Sequence, residues 1–370
     1  MAKLIEITGK ALSGEWGADD ETGNGIPVLR TTNFTNAGIV DYNNVVTRKI
    51  VKKGIEEKYL RNGDIIIEKS GGSDKQPVGR VIYFEGPEAT YLFNNFTGLL
   101  RVKNQEKWHP RYVFYSLFSN YRSGGTRTFQ NKTTGLHNLK TDDYVSSFNV
   151  TEVDIATQKA ICKQLNLVNG IIRMRQQQLQ KLDNLIKARF VEMFGDPVKN
   201  SKRLPTVLGE TLFRLSNGKA LPSNERFPEG IPAYGGNGVS WYTDKILCDF
   251  DTIIVGRVGF QSGNVHLAKA PLWVTDNAMY ISSLNTEICD MRFLCALMEH
   301  IDFTRYQDAG DLKKITQKPF MQMHYPMPSM QSQMQYIDFS EQIDKSKVVV
   351  QKALDEAQTL FDSLMQEYFG

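Results

Sequence analysis

Long apolar runs are missing from this sequence. Nothing in it approaches the roughly 18 consecutive apolar residues of a membrane-spanning helix, and mean hydropathy is −0.36. Cysteine is sparse. Cys162, Cys248, Cys289 and Cys295 form no Cys-x-x-Cys pair, so neither a disulfide framework nor a zinc motif is indicated. The start, Met1-Ala2-Lys3-Leu4, lacks the apolar stretch and small-residue cleavage site of a secretory leader. These absences predict a cytoplasmic protein without membrane contact, its thiols reduced.

Catalytic signatures are absent as well. His109, His137, His266, His300 and His324 stand far apart, without metal-ligand spacing. Gly218-Lys219-Ala220 lacks the upstream glycine and the hydroxyl of a phosphate-binding loop. No Pro-Pro pair exists to build the Asn/Asp-Pro-Pro-aromatic element of an amino-methyltransferase. A metal-dependent nuclease needs an acidic residue and then Glu-x-Lys on adjacent strands. Asp64 with Glu68-Lys69 misses that spacing by one residue, and a one-residue slip turns a strand side chain to the other face. The expectation is a binding protein with no cofactor, no metal and no reaction of its own. A nuclease built on Asp64 and Glu68, or a scaffold for protein or carbohydrate, are the alternatives.

What the chain does have is repetition. Residues 155–195 align without a gap with residues 330–370, pairing Gln158 with Gln333, Val168 with Ile343, Leu179 with Leu354, Ile186 with Phe361 and Gly195 with Gly370. Ile161, Leu165, Val168, Ile172, Leu179, Leu182 and Ile186 form a 4-3 apolar stripe in the first copy. Ile343, Val350, Leu354, Phe361 and Leu364 hold the same phase in the second. Sustained 4-3 spacing is a helical stripe that needs a partner helix, and about 40 residues make a rod of roughly 60 Å. The simplest partner for each rod is the other. The whole chain is only +3, but residues 154–195 carry seven basic and three acidic side chains, whereas residues 328–370 carry three and seven. Opposite charge is expected to select the partner while apolar burial supplies the stability.

The segments before the rods repeat more loosely. Gly25-Ile26-Pro27 recurs as Gly230-Ile231-Pro232, Gly63-Asp64-Ile65-Ile66-Ile67 as Phe250-Asp251-Thr252-Ile253-Ile254, Gly71-Gly72 as Val258-Gly259, and Asn95-Phe96 as Asn277-Ala278. Short β-branched runs bounded by Gly, Asn, Asp and Pro, at 78–84, 99–102, 253–258 and 279–281, predict strands. Short helices are expected near 110–119 and 289–300. The plan is α+β: a globular domain at 1–153, a long helix at 154–195, a second globular domain at 196–327 and a second long helix at 328–370.

Each globular segment carries loops rich in Arg, Lys, Asn, Gln, Thr and Gly. In the first, the candidates are Arg30, Thr32 and Asn33; Lys69, Ser73, Lys75 and Gln76; and Arg127, Gln130, Asn131, Lys132 and Thr133. In the second they are Tyr234 and Asn237, Arg257, and Lys313 and Lys314. This chemistry suits DNA: Arg or Lys on guanine, Asn or Gln on adenine, hydroxyls and amides on phosphate. Polar surface turns and lectin-like loops would read similarly.

Taken in order, these motifs resemble the specificity subunit of type I restriction–modification enzymes. The resemblance rests on Gly25-Ile26-Pro27-Val28-Leu29-Arg30, Gly63-Asp64-Ile65-Ile66-Ile67, Thr133-Thr134-Gly135-Leu136 and Phe190-Val191-Glu192-Met193-Phe194-Gly195. In the second half it rests on Tyr234-Gly235-Gly236-Asn237-Gly238, Asp251-Thr252-Ile253-Ile254-Val255-Gly256-Arg257 and Trp273-Val274-Thr275-Asp276-Asn277-Ala278. A Pro-rich lead into the conserved helix is present only before the second, at Pro326 and Pro328. The resemblance implies two target-recognition domains separated by two long helices pairing as an antiparallel coiled coil. Each domain would read half of a bipartite duplex target. The helices would set the gap and dock DNA-methyltransferase subunits, two of them by expectation, and restriction/translocase subunits would join that complex.

Overall fold

The computed structural model describes residues 1–52, 54–133, 136–310 and 313–370. It divides into two compact units, one of residues 1–175 and 353–370, the other of residues 176–352. Two 40-residue helices, Ile155–Phe194 and Met330–Phe369, each give one half to each unit. No helix among the described residues is long and apolar enough to cross a membrane.

In the first unit, the strands Leu12–Ser13, Thr97–Leu100, Ile65–Glu68 and Val81–Tyr83 form an antiparallel sheet in that order. The sheet separates two cores. Ile65 and Ile67 face the helix Pro110–Arg122 and the long helices, while Ile66 faces the other way, toward Leu29, Phe84 and Phe93. The second unit repeats this with Phe213–Asn217, Ala278–Leu284, Thr252–Gly256 and Val265–Ala268. Here Ile253 and Val255 face the helix Met291–Glu299, and Ile254 packs with Leu272 and Val274.

Pairing across the sheets corrects the register read from the sequence. Glu68 opposes Thr97 as Gly256 opposes Ala278. Asp64 is therefore equivalent to Thr252, and Gly71 to Gly259, each one residue from the expected match. A strand buried on both faces is apolar without alternation, so its pattern carries no phase. Similarly, the amides of Lys69 and Ser70 donate to Phe96 O as those of Arg257 and Val258 donate to Asn277 O, making Phe96 the equivalent of Asn277.

The apolar stripes lie where the helices meet. Ile161, Leu165, Val168, Ile172 and Phe361 are buried in the first unit, with Leu354 and Leu364 packed beside them. Tyr368 Oη donates to Gln164 Oε1 at 2.6 Å, joining the end of one long helix to the start of the other. In the second unit Val350 is buried, and Leu179, Leu182, Ile186 and Ile343 are part-buried. Asp183 there meets Lys347 and Phe190 meets Tyr336, so the helices run antiparallel.

One ion pair across the two helices runs against their net charges. The Lys347–Asp183 pair, at 2.7 Å, places its cation on the acidic helix and its anion on the basic one. Carboxylates of the second long helix take arginines from the short helices: Asp362 from Arg122 and Glu341 from Arg292. Lys181 and Lys187 are exposed, and Arg189 binds Glu192 of its own helix. Solvated ion pairs add only about 0.2–1 kcal/mol, so the apolar stripe supplies most of the pairing stability.

All four thiols are free and buried. Desolvation pushes Cys162 and Cys289 up to about 12 and Cys248 to about 11. A thiolate-directed reagent such as DTNB should therefore label no cysteine of the native chain at pH 8 and all four after denaturation. One rapidly labelled native thiol would contradict this packing.

Candidate nucleic-acid interface

The repeated sheets end in repeated turns. In the first unit Arg80 fastens three segments: its guanidinium makes a bidentate pair with Glu68 (3.0 and 2.8 Å) and also donates to Thr31 O and Phe34 O. The turn after Arg30 is thereby tied to the end of the central strand. The next strand, Ser70–Gly72, pairs with Leu136–Leu139, which pairs with Gln130–Thr133. The three candidate loops of this unit thus sit around one corner of the fold.

Within that corner the candidates separate by availability. Thr32, Ser73, Lys75, Gln76, Arg127 and Asn131 are exposed. Ser73 Oγ accepts from the amide of Gln76, closing a tight turn that holds Lys75 outward. Lys69 is part-buried, its Nζ donating to Ser13 Oγ, and its pKa is lowered by desolvation and then by Lys58. It lines a groove of about 700 Å³ with Lys10, Phe96, Asn138 and Lys140.

Asn33 is a correction. It is 1% exposed, with Oδ1 accepting from the Arg30 amide and Nδ2 donating to Asp41 O and Asn43 O. That closes the turn and leaves no base-reading edge. Arg30 is partly committed too, donating to Asn44 O. Gln130 Oε1 shares a hydrogen bond with His137 Nδ1 at 3.0 Å. The side chains of Lys132 and Thr133, and the whole of Thr134, Gly135, Asp311 and Leu312, lie outside the described residues.

The second unit gathers its candidates as closely. Tyr234 O accepts the amide of Thr275, and the hairpin at Gly235–Gly238 folds so near the central strand that a Cβ on Gly256 would meet Gly236 O at 2.7 Å. This contact requires glycine. Arg257 Nη1 donates to Asp276 O, while Arg257 O accepts the amide of Ile315. Gly259 N donates to Lys313 O. Tyr234, Asn237, Arg257, Lys313 and Lys314 thus share one surface, with Asn237 and Lys314 exposed and the others part-buried. Arg257 is the structural equivalent of Lys69.

The acidic pair of the nuclease alternative is closed. Asp64 and Glu68 are each 1% exposed. Arg101 grips Asp64 through Nε and Nη2, both at 2.7 Å, and Arg80 grips Glu68. Both carboxylates serve as counter-ions that hold strands and turns together. Sequence reading gave these arginines no role, because neither lies in a motif. It also missed Lys10, Lys140 and the exposed Phe96 and Phe260.

Comparison with known proteins bears on these repeated turns and helices. Residues 2–184 match the type I restriction modification DNA specificity domain. Residues 2–184 belong to this specificity-domain family. A Mycoplasma genitalium protein described as a type I specificity subunit is 28% identical over 127 residues, which covers 34% of this chain and 33% of that protein. The match therefore spans about a third of that relative's length. The crystal structure of an M. genitalium type I restriction–modification S subunit superposes with a TM-score of 0.62 at 14% identity, over 100% of this chain and 95% of that one. A structure from work on assembly and conformational transition of the type I system gives 0.55 at 14% identity, over 100% and 96%. These likenesses show an α+β fold with two globular domains and long helices.

Proposed function

We infer that this chain is the DNA-reading subunit of a type I restriction–modification complex and performs no reaction itself. The recognition domains are the globular parts at 1–153 and 196–327, each reading one half of a split duplex target. The long helices at 154–195 and 328–370 set the gap between the halves and dock two methyltransferase subunits. Restriction/translocase subunits complete the assembly, in the cytoplasm. The observation that carries this reading is the twofold recurrence of one corner. Lys69 and Arg257 occupy equivalent positions, each beside an Asn- or Phe-bearing turn and each flanked by exposed polar loops. Two copies of one reader suit a target made of two unlike halves. The sealing of Asp64 and Glu68 by arginine supports a reader over a nuclease.

The test is selective binding by the chain together with its methyltransferase subunits, using a pool of random duplexes. Arg257→Ala should relax preference at one half-site only, by about 1–3 kcal/mol for a bidentate guanine contact. Arg127→Ala should do so at the other. A uniform loss over all sequences would assign these side chains to phosphate. Binding indifferent to sequence, or magnesium-dependent cutting by the chain alone, would overturn the reading.

A further inference from the structure

Phe260 is 89% exposed, the most solvent-exposed aromatic side chain among those described. Its loop is held firmly. Ser262 N donates to Gly259 O, Gly263 N to Gly256 O, and Asn264 N to Gln261 O. Gly259 N reaches Lys313 O on the neighbouring segment, and Gln307 Nε2 clamps Ser262 O at 2.7 Å. Gly259 and Gly263 adopt φ of +94° and +97°, so two left-handed residues bracket the turn and aim its middle outward. Arg257 precedes the loop, and Lys313 and Lys314 lie on the segment that pairs with Val258 and Gly259 at its base. A phenyl ring held rigidly in water gains from any apolar surface it can enter, and cations on the segments that carry the loop suit a polyanion.

We propose that Phe260 is an aromatic wedge that enters a base step in the DNA half-site read by the second unit, partly unstacking it. The proposal rests on the DNA-reading function inferred above. It separates the two units. The first-unit equivalent of Phe260 is Gly72, an interior residue where a Cβ would meet Val78 N at 2.5 Å. Phe96, about half exposed, sits in the turn Asn94–Thr97 within the wall of the groove beside Lys69, and its counterpart in the second unit is Asn277, not Phe260. Distortion is therefore confined to one half of the target. A wedge unstacks a step in exchange for contact over a bent duplex, so its removal acts mainly on distortion and less on recognition.

The experiment takes the full chain with its methyltransferase subunits, bound to the duplex selected from the random pool. Permanganate reactivity of thymines is read across both half-sites, for the parent and for Phe260→Ala and Phe260→Tyr. The expected result is hyper-reactive thymine at one step, in one half-site. Alanine abolishes it and weakens binding about tenfold, while tyrosine keeps it. Sequence preference persists throughout. Selective binding with no reactive step in the parent, or a step that survives Phe260→Ala, overturns the wedge and leaves the reader intact. Loss of methyltransferase assembly in Phe260→Ala, with distortion unchanged, makes the ring a protein contact and also overturns it. Absence of selective binding by the parent complex defeats the underlying function instead.

Discussion

Replacing Arg101 with methionine should destabilise the first unit by about 3–5 kcal/mol, the cost of stranding a buried charge. Arg101 closes both oxygens of Asp64 and also donates to Glu57 O and Tyr59 O. The Asp64 carboxyl is 2% exposed, and its remaining backbone donor is the amide of Arg61 at 2.8 Å. Methionine fills much of the same volume but supplies no charge and no donor. Hydrogen exchange should show the strand Ile65–Glu68 and its neighbours losing protection while the second unit keeps its own, since Thr252 replaces Asp64 there and needs only Ile281 O. Adding Asp64→Asn should recover part of the loss, because the stranded charge goes with it. A single-variant effect below about 1 kcal/mol would show that Asp64 reaches water in some other way. Because the pair is structural, the same variants should leave DNA preference per folded molecule unchanged.

The next largest effect is expected at the paired glutamines. Gln158 and Gln333 are both fully buried. Gln158 Oε1 accepts the amide of His109, and its Nε2 donates to Lys107 O and Val153 O. Gln333 repeats the pattern with the amide of Asp290 and the carbonyls of Ile288 and Pro328. Each side chain thus ties the first turn of a long helix to the residue that begins a short helix, Pro110–Arg122 in one unit and Met291–Glu299 in the other. Leucine at either position fills the space and strands an amide and two carbonyls. Each unmet group costs about 1–3 kcal/mol, and with partial relaxation the total should come to roughly 3 kcal/mol. Denaturant unfolding followed by unit-specific exchange should place the loss of Gln158→Leu in the first unit and that of Gln333→Leu in the second. Glutamate should rescue neither, since a carboxylate keeps the acceptor but faces two carbonyls without a donor. Parent-like stability of either leucine variant would mean that the turns hold without the clamp.

These two sites mark how far the sequence could be read. The glutamines were visible as an identity in a gapless repeat, but their distant partners, 43 to 51 residues upstream, were not. Apolar stripes announced both long helices because a 3.6-residue period survives over many turns. Strands such as Ile65–Glu68 were recognisable as strands, yet their phase was hidden by burial on both faces. Among the loop candidates, Arg127, Lys75 and Asn237 are as available as composition implied. Asn33 has the right chemistry but spends it on its own turn.

The sequence alone determined the duplicated plan, the α+β composition, the paired rods and the polar turns between them. These are local or periodic properties, written at short range and then copied. Only the tertiary structure decided which carboxylates are counter-ions, which glycines allow close approach and which turns share a corner. It also decided that carboxylates of the acidic helix bind arginines of the short helices. Those outcomes depend on segments that meet in space from distant parts of the chain, and no local pattern encodes such a meeting.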